Sequence, residues 1–599
     1  MSMDDRSLGR ADLNFASPAD IEVFVDTLAR FERGEIDSSA WRAFRLVNGT
    51  YGQRQEGSHS MLRVKIPQGV LRSDQLEVIA RVAQRYSRGF AHLTTRQNFQ
   101  LHFIPLAQIG AAMTELAEAG LTTREACGSA VRNVTAPATA GVASDEVFDV
   151  TPYARALTRY FLRHPLGSGL PRKFKIAFSG GGRDHAFISV NDIGFSAKVV
   201  DGRRAFRITV AGGPATFCSN GQELFSALPA AEILGAAEAI LRVFNARGDR
   251  EHRNKNRMKF LVKQLGWETF RAEVLSTFAS LEIPGLPFDA DSPPEEELPP
   301  PTTREEIPSV AALQQLVATD APHGPGLVPR YLPTLDASGR FLRSNVAAQK
   351  QAGFSIVTVT VPLGDLSHAR LLALAQLARA FSDGTVRTTH NQNLLLRWVP
   401  NQLVPDLIQR LAAIGLAAPD PGSLADVTSC PGAETCKLAV TQSRGVAQLV
   451  SEHFAQRREL LDALGAAPVH VSGCPNGCGL HHVAAIGLQG GMRKLAGRAL
   501  PQYFLYLGGD GSHFGKVAAK LPARRVPAAI ERLVELYAKN HHEAEDAAAF
   551  FRRQEPAQLK ALLADLESLT EATASAADYV DLAETESFSP ADSEGECAA

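Results

Sequence analysis

Apolar and polar residues alternate along Met61-Leu62-Arg63-Val64-Lys65-Ile66. That period predicts a strand with Leu62, Val64 and Ile66 on one face and Arg63 and Lys65 on the other. Leu170-Pro171-Arg172-Lys173-Phe174-Lys175-Ile176 alternates likewise, with Lys173 and Lys175 opposite Phe174 and Ile176. After the first strand, residues 75–86 carry apolar positions at helical spacing, and Thr94-Thr95-Arg96-Gln97-Asn98-Phe99-Gln100-Leu101 reads as a turn entering a second strand. About 295 residues later the order recurs: a strand ending Val359-Thr360-Val361-Pro362, a helix around 371–381, then Thr388-Thr389-His390-Asn391-Gln392-Asn393-Leu394-Leu395. At that offset Pro67 meets Pro362, Gly69 meets Gly364, Gln97-Asn98 meets Gln392-Asn393, and Pro105 meets Pro400. A β-α-β unit repeated at so long a period predicts a duplicated half-domain in an α+β chain, not a solenoid.

Two stretches break the pattern. Residues 281–310 hold eight prolines, with the run Pro293-Pro294-Glu295-Glu296-Glu297-Leu298-Pro299-Pro300-Pro301. Proline withholds a backbone donor, so this stretch predicts an extended, solvated, protease-sensitive linker. Residues 561–599 carry ten acidic residues and no Lys or Arg, which predicts a frayed helix and a disordered tail.

At 599 residues the chain exceeds one small core, and several domains are expected. A formal net charge of −2 favours neither nucleic acid nor a membrane surface. No apolar run reaches membrane-spanning length and the start lacks an export signal, so a cytoplasmic protein with reduced thiols is expected. Ser179-Gly180-Gly181-Gly182 is too weak for a nucleotide loop, and no convincing Gly-x-Gly-x-x-Gly appears. Adjacent His481 and His482 point in different directions along most backbones and do not read as ligands of one metal.

Four of the seven cysteines fall in one 49-residue window: Cys430 and Cys436 in Ser-Cys-Pro-Gly-Ala-Glu-Thr-Cys, and Cys474 and Cys478 in Gly-Cys-Pro-Asn-Gly-Cys-Gly. Four thiolates on tight turns suit an iron–sulfur cluster or structural zinc. Zinc sites usually space their pairs by two to four residues. Here five residues separate the first pair and three the second.

Cys-x5-Cys, a gap of 37 residues and Gly-Cys-x3-Cys together resemble the sirohaem and 4Fe–4S signature of the nitrite/sulfite reductase family. The pattern departs at Ala485, where the family prefers an acidic residue. The resemblance implies that Cys430, Cys436, Cys474 and Cys478 hold the cluster, with Cys478 bridging it to the sirohaem iron. Met-Leu-Arg-Val-Lys-Ile-Pro, Thr-Thr-Arg-Gln-Asn-Phe-Gln and Leu-Pro-Arg-Lys-Phe-Lys also resemble family segments beside sirohaem. Carried over, Arg63, Arg132, Lys173 and Lys175 grip the substrate anion. Arg96 pairs with sirohaem carboxylates, and Gln53, Arg54, Thr95, Gln97 and Asn98 complete the cradle. Lys255, Asn256 and Lys259 lie in a further segment that resembles a cofactor-contacting one. One arginine of some members is His92 here. By pattern alone the cation-bearing faces read as solvated edge strands; an anion is the other reading.

The resemblance also implies two pseudo-symmetric ferredoxin-like halves with a sirohaem domain and a 4Fe–4S domain. On this chain they map to a first half-repeat within 1–125, a sirohaem and substrate domain at 126–280, a linker at 281–345, a second half-repeat at 346–420, a cluster domain at 421–555 and an acidic tail at 556–599. The implied reaction is six-electron reduction of sulfite to sulfide. Plant-type nitrite reductases of the family tend to carry Asn where this chain has Lys175, and a second ammonium favours a dianion. Nitrite reduction to ammonium is the alternative. A corrin-pathway oxygenase of the same fold and a zinc-binding structural protein are weaker ones. With no nucleotide fingerprint, electrons are expected from a separate donor, a ferredoxin or an NADPH-flavoprotein subunit.

Overall fold

A computed structural model describes residues 13–55, 59–182, 184–293, 306–324, 326–331 and 339–590. The duplication expected from the sequence organises the molecule, and the halves exchange strands. One sheet runs Thr50–Gly52, His59–Val64, Phe99–Pro105, Phe90–Leu93 and then Asp365–Ser367, which comes from the other half. Its counterpart runs Val346–Ala348, Phe354–Val359, Leu394–Pro400, Thr385–Thr388 and then Val70–Arg72 from the first half. Helices Ser73–Tyr86 and His368–Phe381 pack together, and a single apolar core spans both halves. Each half thus closes an edge that the other would leave unpaired.

Equivalent residues do equivalent work. Asn98 Oδ1 accepts from Ile66 N at 3.1 Å, and Asn393 Oδ1 accepts from Val361 N at 2.8 Å. Gln97 and Gln392 both adopt positive φ, 59° and 63°. The repeat extends further than the sequence pattern suggests. A sheet of Ile176–Ser179, Ile193–Val200, Arg203–Val210 and Gln222–Pro229 opens with a parallel pair, Ile176 opposite Ile193. A second sheet, Thr428–Ser429, Val469–Ser472, Ile486–Leu495, Arg498–Leu507 and Lys516–Pro522, contains the matching parallel pair, Val469 opposite Ile486.

Three expectations need correction. The strand His59–Val64 lies inside its sheet rather than at an edge, and Lys65 is buried, its Nζ 3.8 Å from Glu125. The region 281–345 is not all linker: Val310–Val317 and Arg340–Asn345 are helical and bury Leu313 and Phe341. Most of the proline run, from residue 294 on, lies outside the described residues. The acidic tail is ordered over its described residues, 556–590. Helix Pro556–Glu567 buries Leu559 and Leu563, and Asp581 accepts from Gln442 N at 2.9 Å. Its leucines recur at helical spacing, which an acidic composition conceals. No described helix is long and apolar enough to cross a membrane.

Candidate functional site

One cavity, about 1320 Å³ of empty space with its mouth included, opens where the first ferredoxin-like sheet meets both cysteine loops. The sheet contributes Arg63 from strand His59–Val64 and Gln100 and His102 from strand Phe99–Pro105. Alternation explains the choice: Leu62, Val64, Phe99 and Leu101 turn into the core, leaving the intervening side chains to the cavity. The turn before the second strand supplies Thr95, Arg96 and Asn98, and the approach to Ile176–Ser179 supplies Lys173 and Lys175. Arg132 and Lys437 complete a wall of six cations that includes no Asp or Glu.

The cations are held in place by different means. Arg132 donates from Nε to Gly128 O at 3.0 Å and from Nη1 to Ala126 O at 3.3 Å. Arg63 donates to Gln100 Oε1 at 2.6 Å, with the amide set so that its oxygen faces the guanidinium. Arg96 donates to Asn191 Oδ1 and Ile176 O, both at 2.9 Å, and its Nε is buried without a partner. Burial pushes the Arg96 guanidinium down to about 9, with Asp192 opposing. The Lys175 ammonium is pushed well below its ordinary value by burial and by Arg96, Arg257 and Lys173. So many like charges on one wall repel one another, a tension that a bound anion relieves.

All four paired cysteines line the same cavity as free thiols. Their loops require glycine. Gly432 has φ 63°, and a Cβ there would stand 2.6 Å from Ser443 N; Gly477 has φ 66°, and its Cβ would stand 3.0 Å from the His482 ring. Gly473 N lies 3.4 Å from Cys430 Sγ as a donor. Burial, with Cys478 and Cys430 nearby, pushes the Cys474 thiol up to about 12. Such a thiol becomes a thiolate when a metal replaces its proton. Among the described residues no three His, Cys, Asp or Glu side chains converge closely enough to hold a single metal ion. The cysteines surround a space rather than a point, which suits a cluster better than zinc. His481 and His482 have ring centroids 3.7 Å apart with their planes tilted by 32°, and burial pushes both imidazoles down.

Of the residues expected from sequence, Gln53, Arg63, Thr95, Arg96, Asn98, Arg132, Lys173, Lys175 and the four cysteines line the cavity. Thr95 also ties the turn to the second cysteine loop, donating to Cys478 O at 2.7 Å. Five lie elsewhere. Arg54 clamps the first cysteine loop through Ala433 O at 3.1 Å and Ala439 O at 2.8 Å. Gln97 is fully buried and donates to Ala136 O and Thr388 O. Lys255 is exposed. Asn256 donates to Pro171 O at 2.8 Å, and Lys259 Nζ to Pro214 O at 2.7 Å. Sequence reasoning passed over His102, Gln100 and Lys437. The first two were within reach of the alternation that located Arg63.

Comparison with known proteins adds the lineage. Residues 127–280 match the nitrite and sulphite reductase 4Fe-4S domain, and residues 51–119 and 347–414 match the nitrite/sulfite reductase ferredoxin-like half domain. A ferredoxin–nitrite reductase of Leptolyngbya laminosa is 30% identical over 469 residues, covering 76% of this chain and 81% of the relative. A sulfite reductase (ferredoxin) of Mycolicibacterium paratuberculosis is 26% identical over 565 residues, covering 90% and 93%. The structure of Mycobacterium tuberculosis NirA protein superposes with a TM-score of 0.72 at 27% identity, covering 90% of this chain and 97% of that one.

Proposed function

The chain belongs to the nitrite and sulphite reductase family, and within that family we propose that its substrate is sulfite, reduced to sulfide. The family's cofactors are a 4Fe–4S cluster and sirohaem. The residues present fit both: four thiols around one space, and a wall rich in cations and free of carboxylates, as a ligand with many carboxylates needs. Cys430, Cys436, Cys474 and Cys478 would hold the cluster, with Cys478 shared. Arg96, Thr95, Asn98 and Gln53 would meet the tetrapyrrole. When bound, the pair supplies electrons one at a time to an iron that takes the oxyanion.

The protein's own part is electrostatic. Arg63 and Arg132 serve as fixed cations, because guanidinium does not surrender its proton. Lys173 and Lys175 draw in the anion and can pass protons as oxygen leaves as water. The observation that carries the sulfite reading is that both lysines stand on the cavity wall, Lys175 among like charges. A doubly charged anion relieves that crowding more than a singly charged one. Nitrite is the second reading, favoured by the names of several relatives. Those names also favour a ferredoxin as donor, in keeping with the missing dinucleotide fingerprint. The test is turnover of each anion by the purified holoenzyme with one artificial donor. Higher kcat/KM for nitrite than for sulfite overturns the sulfite reading; turnover of neither overturns reduction.

A further inference from the structure

Behind the cavity wall lies a smaller, partly open space, bounded by Arg88, His92, His102, Asp365, Glu434 and Arg444. It has room for one ordered water. His92 and His102 belong to both spaces. Their ring centroids are 6.2 Å apart. They differ in how their nitrogens are used. His92 Nδ1 lies 2.6 Å from Asp365 Oδ1, and its Nε2 lies 3.2 Å from the Gln392 amide nitrogen. Both Nδ1 and Nε2 of His102 are buried without a protein partner, as is Nε of Arg444. Buried polar nitrogens are rarely left so unless water meets them.

The charges around this space balance. Asp365 pairs with Arg444, Arg444 with Glu434, and Arg88 Nη2 lies 3.3 Å from Glu434 Oε1. Burial would raise the Asp365 carboxyl, but Arg444, His92 and Arg88 outweigh it and hold it down to about 2. Asp365 therefore orients His92 and does not itself carry a proton near neutral pH. Burial, then His92, Arg88 and Arg444, push the His102 imidazole well below its ordinary value, with Asp365 opposing. The ring is neutral, with one N–H and one lone pair, both free. Bulk solvent is near: Leu327 N donates to Glu434 Oε1 at 3.2 Å, Leu327 O accepts from Arg88 at 2.9 Å, and Gly326 and Val328 beside it are exposed.

Resting on the reductase reading above, we propose that His102 is a proton inlet to the central cavity, fed by a water in the small space behind it. Reduction of either oxyanion consumes protons along with electrons, so a supply must cross this wall or another. In one passage a proton from that water joins one ring nitrogen while the other nitrogen gives its own toward the bound anion. The ring stays neutral but is left as its other tautomer, which a flip of the ring resets before the next passage, and the water is reprotonated from solvent along the Arg88 side. No electron passes through the imidazole.

The test uses holoenzyme with excess reduced viologen, so that electron supply is not limiting. His102→Phe keeps the bulk and abolishes transfer. Its kcat should fall about 10²-fold, the lower end of what positioned acid–base groups supply. Its affinity for the anion, read from the shift of the visible band, should stay within about twofold. His102→Ala should regain most of its lost kcat with added imidazole, and the solvent deuterium isotope effect on kcat should rise in His102→Phe. Should His102→Phe not load its cofactors, His102→Gln takes its place with the same expectation. Turnover within threefold of wild type, or no imidazole rescue together with an unchanged isotope effect, overturns the inlet. If wild type reduces neither anion, the reductase reading fails instead.

Discussion

Replacing Gln392 by Ala should cost stability and strip iron, whereas replacing its symmetry mate Gln97 should cost stability alone. Gln392 Nε2 donates to Leu93 O at 2.7 Å and Ser429 O at 2.8 Å, and its Oε1 accepts from Ser429 N at 2.7 Å. One amide thereby welds the second half-domain to the first and to the residue before Cys430. Truncation leaves three buried backbone groups unpaired. At about 1–3 kcal/mol for each such group, and short of full additivity, the loss is roughly 3–6 kcal/mol. Gln97 makes the same three bonds, to Ala136 O and Thr388 O at 2.9 Å and from Ala136 N at 3.3 Å, and touches neither cysteine loop. Both variants should therefore melt several degrees lower than wild type. Iron per chain after gel filtration, read beside the visible spectrum, separates them: Gln392→Ala should be depleted and Gln97→Ala near wild type. Full iron in Gln392→Ala, or equal depletion in both, would refute the claim that this amide positions the cluster loop.

Lys175→Asn should shift the kcat/KM ratio from sulfite toward nitrite, because losing the ammonium that a bound anion keeps protonated weakens attraction for a dianion about twice as much as for a monoanion; a ratio that is unchanged or moves toward sulfite removes the main support for sulfite. Cys478→Ser should lose sirohaem and cluster together, since a serine oxygen is a poor bridge to soft iron; full content of both with normal turnover would contradict the shared-ligand role. Burial raises the Asp426 carboxyl to about 6 against donors from Gly422 N and Asn393. A folded value above the unfolded one gives stability that is complete below about pH 4 and lost as pH rises through 6. Wild type should lose up to about 3 kcal/mol over that window through this group. Asp426→Asn, which keeps an acceptor, should flatten the loss in denaturation at stepped pH, and parallel curves would count against the assignment.

The period of a strand gave the cavity-facing set but not what each member would meet. Arg63 and Lys65 share a face by alternation, yet Arg63 reaches the cavity while Lys65 ends beside Glu125, sixty residues away in sequence. Gln97 and Asn98 are neighbours in one motif, yet Gln97 is spent on Ala136 and Thr388 and only Asn98 lines the cavity. In each case a distant partner decides, and local pattern carries no information about it. The acidic tail failed for another reason. Mean composition described its solvent face, whereas Leu559, Leu563 and Leu582 decided its fate.

The duplication explains why the motifs were legible and the strand exchange was not. Residues that shape the backbone recur in both halves: the Gln-Asn turn, the bend at Gln68 and its mate Leu363 with φ of 53° and 56°, and the left-handed residues Phe187 and Leu480 that begin matching short turns. The Gln-Asn turn is a local demand that the sequence states openly, whereas Gln68 and Leu363, like Phe187 and Leu480, differ in type and share only their backbone. The chemistry is not duplicated. Cys474 and Cys478 precede Leu480, whereas the stretch before Phe187 runs Gly180-Gly181-Gly182 to Asp184-His185-Ala186 without a cysteine. That first-half turn instead reaches across, with Ser189 donating to Gly511 O and Phe187 packing its ring edge-on to His390 at 5.8 Å. One copy of the scaffold carries the thiols, and the other carries the cations Lys173 and Lys175 and packs its turn against the thiol-bearing half. A site so divided needs both copies folded against each other, which is what the exchanged strands Asp365–Ser367 and Val70–Arg72 secure.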